Sequence, residues 1–523
     1  MTSRAPDPAD TFGMSRPTLL FAVIALLYLV FLFPSPDFSA YNKDDAGLFV
    51  SLGTNVARFH HYSLDTIPRD DYSHHGTWPP VFPVILATVI AVFGLNWTML
   101  KLLMVALSLA NLWFLWLLLE RLQRYGVSRS IAMATIAATA LSPMYFLFSH
   151  MTMTEIPFMC ATTATLMLLT RSTGPVGGLS AGVTAALAFL TRGYAVTLLP
   201  ASFIYYGDKR EWPLARRFWT FAAFTLPLVA SVAAWSAFTN YVRLYTRIDG
   251  VTAHYGSDGA IVQSAFRPIG VYLRDIYWYH LRSIVHLLIP AVPVNTALGH
   301  DWMAGIGALF FLLIGIGWIG LVWRGERAVS SWLLFSIALT LMGQINGPRY
   351  WLTYLPFLFL GMFVAVRDIS MRFAQTSWLV PAFSGGVMVS TAAGLALHLV
   401  HPDELRFLSP YWKHYQQAIM WARDHVPPDA VIVTHAPHDL YGSIGIASVS
   451  SAMGEGTALM NSANAENRKV YVLGPRGTNL PQVIDRSSDV GSAVAEPFAA
   501  LDHDHRFEVV YGGDVVHVWR QLK

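Results

Sequence analysis

Trp78-Pro79-Pro80-Val81-Phe82-Pro83-Val84-Ile85-Leu86-Ala87-Thr88-Val89-Ile90-Ala91-Val92-Phe93-Gly94-Leu95 is the stretch whose reading decides how the chain is laid out. It is apolar, but it is short and carries three prolines near its start. A membrane-spanning helix needs roughly 20 mostly apolar residues. Eleven other runs reach or approach that length: 18–34, 98–119, 130–148, 152–170, 178–191, 194–206, 218–239, 303–323, 329–346, 350–366 and 378–400. The pair 178–191 and 194–206, interrupted by Arg192-Gly193, also reads as one kinked helix. Five short connections are basic: Arg121/Arg124/Arg129, Arg171, Lys209/Arg210/Arg216/Arg217, Arg324/Arg327 and Arg367/Arg372. Basic residues in short loops mark the cytoplasmic side. All five connections lie on that side only with eleven spans, an internal N-terminus and a stretch 79–95 that does not cross. We therefore read that stretch as an in-plane or re-entrant helix within one long external loop, 35–97.

Composition agrees with a membrane protein. Of 523 residues, 54% are apolar and only 13% charged, with a mean hydropathy of +0.44. A soluble domain is nearer one quarter charged. The formal charge of +3 is too small for a nucleic-acid binder, because the basic residues belong to the topological loops. Cys160 is the single cysteine, so the chain forms no internal disulfide and no thiolate metal cluster. The first apolar run lacks a small-residue cleavage site and reads as a retained span after a cytoplasmic tail, 1–17. The transmembrane region is then 18–400.

From about His401 polar residues return, and 401–523 reads as a small α/β domain on the extracytoplasmic side. Tyr411 to His425 spaces its apolar residues as a helix. Val431–Val433, Val470–Leu473 and Val509–Tyr511 read as strands, the last forming a hairpin with Val515–Val518 across Gly512-Gly513.

The same parity collects several charged residues outside. Asp44 and Asp45 open the amphipathic stretch Ala46 to Phe59. Either is a good helix N-cap, and two carboxylates also allow one to cap while the other takes a proton from an incoming hydroxyl. Lys43 beside them can pair with a carboxylate or meet an anionic group. Glu155 begins the fourth span, where it suits the positive end of the helix dipole. Arg192 and Arg349 stand at external ends against the usual loop bias. Arginine suits bidentate phosphate binding, although it also snorkels to lipid phosphate without a specific ligand. His74-His75 lacks further spaced ligands and is a weak metal signal. No phosphate-binding loop, G-x-S-x-G or H-E-x-x-H occurs.

The order of these pieces resembles the GT-C class of integral-membrane glycosyltransferases, and most the branch of protein O-mannosyltransferases and the lipid A aminoarabinose transferase. The resemblance covers roughly 35–370. It rests on Asp44-Asp45, Pro79-Pro80-Val81, Ser142-Pro143 followed by Glu155, and Arg349-Tyr350 followed by Leu355-Pro356. It implies an α-helical polytopic fold and a bacterial inner-membrane location. The implied activity is inverting transfer of a sugar from a polyprenyl-phosphate donor to a hydroxyl on a lipid, glycan or protein acceptor. Asp44 would then be the general base. Asp45 and Glu155 would position acceptor or sugar, or hold a divalent cation where one is needed. Arg349, Arg192 and Lys43 would neutralise the donor phosphate. The chain departs from the branch at Trp78, where a basic residue is frequent; His75, Lys43 or Lys101 stand as substitutes. A transporter or flippase of lipid-linked sugars is the alternative, and the absence of a visible internal repeat counts against it.

Overall fold

The computed structural model describes residues 16–32, 45–63, 78–245, 280–290, 302–342, 348–372, 378–400, 410–434, 437–450, 468–475, 505–512 and 516–522. Among the described residues the helices up to residue 400 are, in order, α1 (Arg16–Val30), α2 (Asp45–Phe59), α3 (Val81–Phe93), α4 (Trp97–Leu122), α5 (Arg129–Leu141), α6 (Pro143–Phe148), α7 (Glu155–Arg171), α8 (Pro175–Phe189), α9 (Leu198–Gly207), α10 (Leu214–Tyr245), α11 (Leu281–Leu288), α12 (Trp302–Trp323), α13 (Ala328–Met342), α14 (Pro348–Leu352), α15 (Leu355–Arg372) and α16 (Leu379–Val400). Within the described residues every expected run falls on one of these helices, on two consecutive ones or, for 194–206, on a 3-10 turn followed by α9; residues 33–34 and 343–346 of the runs lie outside the described residues. Among the described residues four helices are by themselves long and apolar enough to cross a membrane: α4, α10, α12 and α16. The remaining runs are shorter or broken.

The decisive stretch is indeed a separate short helix. At about 1.5 Å per residue, the 13 residues of α3 extend about 20 Å, against a hydrocarbon core about 30 Å thick. By the same measure the 26 residues of α4 extend about 39 Å. The breaks follow from local chemistry. Pro143 ends α5, because the residue before a proline avoids the helical region, and Ser142 is extended at φ −63°, ψ 126°. Arg192 is likewise extended, at φ −152°, ψ 130°, before a 3-10 turn at Gly193–Thr197. The run 178–206 is therefore two helices rather than one kinked helix.

Burial sorts the helices into layers. Glu155 to Cys160 at the start of α7 are all buried, whereas α10 and α12 expose Leu226, Val229, Leu309 and Leu312, the surface expected to face lipid. Between helices the backbones approach closely wherever glycine permits. A Cβ on Gly182 would collide with the Phe224 carbonyl of α10, and one on Gly317 with the Gly361 carbonyl of α15, the small-residue packing typical of membrane helices.

The C-terminal part contains α17 (Pro410–His425), β1 (Val431–Thr434), α18 (Pro437–Ile444), β2 (Ala447–Ser450), β3 (Val470–Pro475), β4 (Phe507–Gly512) and β5 (Val516–Gln521). Its sheet has the order β2-β1-β3-β5-β4. β1 runs parallel to β2 and β3, while β5 is antiparallel to β3 and β4. α17 buries Tyr415, Ala418, Ile419 and Ala422 in a core with Ile432, Leu473 and Val518. The expected helix, strands and hairpin are present, while α18 and β2 are additional.

At the turn between α12 and α13, Glu326 accepts the Val329 and Ser330 amides at 2.8 Å each and so caps α13. Burial nevertheless pushes its carboxyl above the ordinary 4.5, although the hydrogen bonds from Ser330, Val329 and Ala328 act the other way. A raised folded-state value contributes stability that is full below 4.5 and is lost as pH rises through the folded value. Relative to Glu326→Gln, the unaltered protein should therefore lose thermal midpoint as pH rises from below 4.5 towards neutrality. Parallel melting curves for the two proteins in detergent would refute this.

Candidate functional site

Three chain interruptions converge. Glu155 opens α7, Arg192 follows α8 in extended backbone, and Arg349 lies in the short α14. Arg192 Nη1 stands 2.7 Å from Glu155 Oε1, and Arg349 Nε stands 3.6 Å from the same oxygen. The Glu155 side chain is fully buried, while each arginine side chain keeps 15% of its surface exposed. Tyr350 lies beneath both guanidinium groups, its ring centre 5.8 Å from Arg192 and 5.0 Å from Arg349. Among the described residues, these three side chains sum to a charge of +1. Glu155 Oε2 is buried and accepts no hydrogen bond among the described residues.

Neighbouring elements hold this cluster in place. Trp351 Nε1 donates to His280 Nδ1 at 3.1 Å, and the Trp351 ring meets Tyr354 and Phe311 edge-on. These contacts anchor α14 and therefore Arg349 and Tyr350. The Val81 amide of α3 donates to the Leu190 carbonyl at 3.0 Å, two residues before Arg192. Phe49 of α2 packs edge-on against Trp78 and Phe82, at 5.8 and 5.6 Å between ring centres. A continuous set of contacts thus runs from α2 through the Pro-Pro segment to Arg192 and Glu155.

The structure brings Glu155, Arg192 and Arg349, which the topology had only placed on one side, into contact. Asp45 is the first residue of α2; its side chain, together with Asp44, Lys43 and His75, lies outside the described residues. Lys101 on α4 is buried. Its ammonium donates to the His150 carbonyl and sits 5.6 Å from the centre of the Trp97 ring, so it has an internal partner five residues before Glu155. His150 itself places Nδ1 2.8 Å from the Phe146 carbonyl and Nε2 3.0 Å from the Tyr28 carbonyl. Sequence reading passed over His150, His280 and Trp351. Only the adjacency of Trp351 to Arg349-Tyr350 offered a signal. Among the described residues no three His, Cys, Asp or Glu side chains gather as metal ligands.

Comparison with known proteins gives a consistent picture of the fold. The profile of a family described as dolichyl-phosphate-mannose-protein mannosyltransferase matches residues 77–235. The crystal structure of ArnT from Cupriavidus metallidurans bound to undecaprenyl phosphate superposes with a TM-score of 0.57 at 14% identity, covering 96% of this chain and 97% of that one. The apo form of the same protein gives 0.56 at 12%, over 96% and 97% of the two chains. The apo oligosaccharyltransferase of Archaeoglobus fulgidus gives 0.51 at 11%, over 89% of this chain and 70% of that one. No curated protein sequence matches the chain. The chain has the GT-C fold of multi-pass membrane proteins, as its motifs implied.

Removing the shared carboxylate would leave two largely buried cations facing each other. Breaking a buried ion pair from one side costs about 3–5 kcal/mol. Glu155→Gln should therefore lower the thermal midpoint in detergent markedly, with Glu155→Asp falling between. A midpoint unchanged in Glu155→Gln would show that the cluster does not depend on its carboxylate.

Proposed function

We propose that the chain is a glycosyltransferase that moves a sugar from a polyprenyl-phosphate donor to a hydroxyl acceptor, with inversion, at the outer face of a bacterial inner membrane. The observation that carries this reading is the buried Glu155–Arg192–Arg349 cluster over Tyr350, built on a GT-C fold. Its net positive charge suits a phosphate. The ArnT structure that the chain resembles holds undecaprenyl phosphate, which is the same class of ligand.

In this reading Arg192 and Arg349 hold the donor phosphate and neutralise the charge that develops as the sugar leaves, where preorganised donors act most strongly. Glu155 orients the two guanidinium groups through Oε1 and offers Oε2 to a sugar hydroxyl. Asp44 takes the acceptor proton while the acceptor oxygen attacks the anomeric carbon; the bond from that carbon to the phosphate oxygen breaks, and the phosphate leaves with the electron pair. Asp45 caps α2 or positions the acceptor. The 1–17 tail would be cytoplasmic, and the 401–523 domain would lie outside with the site. A divalent cation, where used, would fall to the acidic residues.

Two substitutions test the assignment in membranes supplied with a labelled lipid-linked sugar. Asp44→Asn should lower transfer about 10²–10⁴-fold, the usual share of a general base. Unchanged transfer removes Asp44 from that role. Arg349→Ala should weaken use of the donor more than use of the acceptor, and equal losses in both would count against phosphate binding. Lipid translocation by the purified, reconstituted protein without covalent transfer would favour the flippase instead.

A further inference from the structure

The C-terminal domain grips the helix that follows the acidic pair. Its short helix α18 lies against α2 so closely that a Cβ on Gly442 would stand 2.8 Å from the Gly47 carbonyl oxygen and 3.2 Å from the Gly47 Cα. Beside this contact the Tyr441 hydroxyl donates to Asn55 Oδ1 at 2.9 Å, with both residues buried. Asn55 Nδ2 in turn donates to the Ser63 carbonyl at 2.8 Å, closing the segment after α2. Trp97 Nε1, at the start of α4, donates to the Ser443 carbonyl at 3.2 Å. The opposite side of α2 is equally tight: a Cβ on Gly53 would meet Leu86 Cβ at 3.0 Å and the Pro83 carbonyl at 3.2 Å. α2 is thus held between α3, which connects to Arg192, and α18, which belongs to the C-terminal sheet.

We propose that the C-terminal domain is a clamp on α2, and that Gly442 and Tyr441 are positioning residues for the reaction. The clamp sets the place of the α2 N-terminus, and with it the acidic pair, relative to the Glu155–Arg192–Arg349 cluster. This rests on the functional reading above. Gly47 lies two residues after Asp45, so a side chain at 442 displaces the part of α2 nearest the proposed base. It does not touch Glu155, Arg192 or Arg349, so donor binding should be largely spared.

Full-length Gly442→Val, Gly442→Ala and Tyr441→Phe proteins in nanodiscs provide the test, with two readouts. In Gly442→Val the amides of α2 should exchange with deuterium at least about tenfold faster, while those of α7 stay unchanged, as for a locally opened unit. Its kcat for transfer from the lipid-linked donor should fall about 10–100-fold, the scale of an ångström-sized misplacement, with the donor KM within about twofold. Gly442→Ala should lie between. Tyr441→Phe, which keeps the ring and removes one hydrogen bond, should show the same split at about fivefold. Unchanged α2 exchange in Gly442→Val overturns the clamp. Faster exchange with unaltered kcat overturns the positioning role, as does a rise in donor KM that accounts for the whole loss. Absence of transfer by the unaltered protein would instead defeat the functional reading and the catalytic half of this proposal, and full transfer by Asp44→Asn would remove the base whose place the clamp is said to set; in both cases α2 exchange would still decide the docking.

Discussion

A single buried carboxylate oxygen, Glu155 Oε1, holds two guanidinium groups that come from positions 37 and 194 residues further along the chain. Such an arrangement is costly to build, because every charge gives up water on burial and mutual attraction repays this only with close geometry. The fold meets that condition by interrupting a helix at each contributor. Arg192 has left the α8 geometry, Arg349 stands in a short helix between two longer ones, and Glu155 begins a helix behind the Ser142-Pro143 break. An arginine in the middle of an unbroken span would face lipid or a packed neighbour; at a break it can turn inward. The helix breaks and the charge cluster are two aspects of one design, in which each arginine side chain keeps 15% of its surface exposed.

The acidic-pair helix is tied to this cluster through packing rather than through charge. Phe49 rests on Trp78 and Phe82, and the Val81 amide reaches the Leu190 carbonyl. The three prolines of the 78–95 stretch matter here. Proline lacks an N–H and fixes φ, so Pro79 and Pro80 begin a helix sharply and leave Val81 as the first amide free to bond outside it. The short length of α3 lets it pack beside α2 and the turn after α8 at the same time, which a full span in its place could not do.

Much of this was legible from the amino-acid order, for reasons that differ by element. The apolar helices were legible because apolar length is a strong local signal, whereas the sidedness read from Arg and Lys in short loops belongs to the proposed reading. Glu155, Arg192 and Arg349 were brought to one side by parity alone, without any signal that they touch. That contact depends on tertiary packing between residues far apart in the chain, as does the pairing of His280 with Trp351 across 71 positions. α18 escaped notice because Pro-His-Asp-Leu-Tyr-Gly-Ser-Ile carries Gly and Ser and too few apolar residues for a helical period. Its helicity depends on α2, against which Gly442 is pressed. β2, Ala-Ser-Val-Ser, has small side chains and is held by pairing with β1. Elements whose cause lies in a partner leave little trace in their own residues.

The charge balance of the cluster supports the proposed transferase over a flippase. A sugar linked through a phosphodiester carries one negative charge, which a site of net +1 balances. The phosphate monoester released after transfer carries about −1.5 to −2 at neutral pH. On the proposed reading the guanidinium groups would interact more strongly with the departing phosphate than with the intact donor, and such a difference is what lowers a barrier. A carrier that moves one unchanged substrate has no use for such a difference, since tighter holding at one stage slows release at the next. A third cation in place of Glu155 would hold the product more firmly still and hinder turnover. By offsetting one of two arginine charges while fixing where both point, the buried carboxylate would, on the proposed reading, keep the site selective for the step in which charge develops.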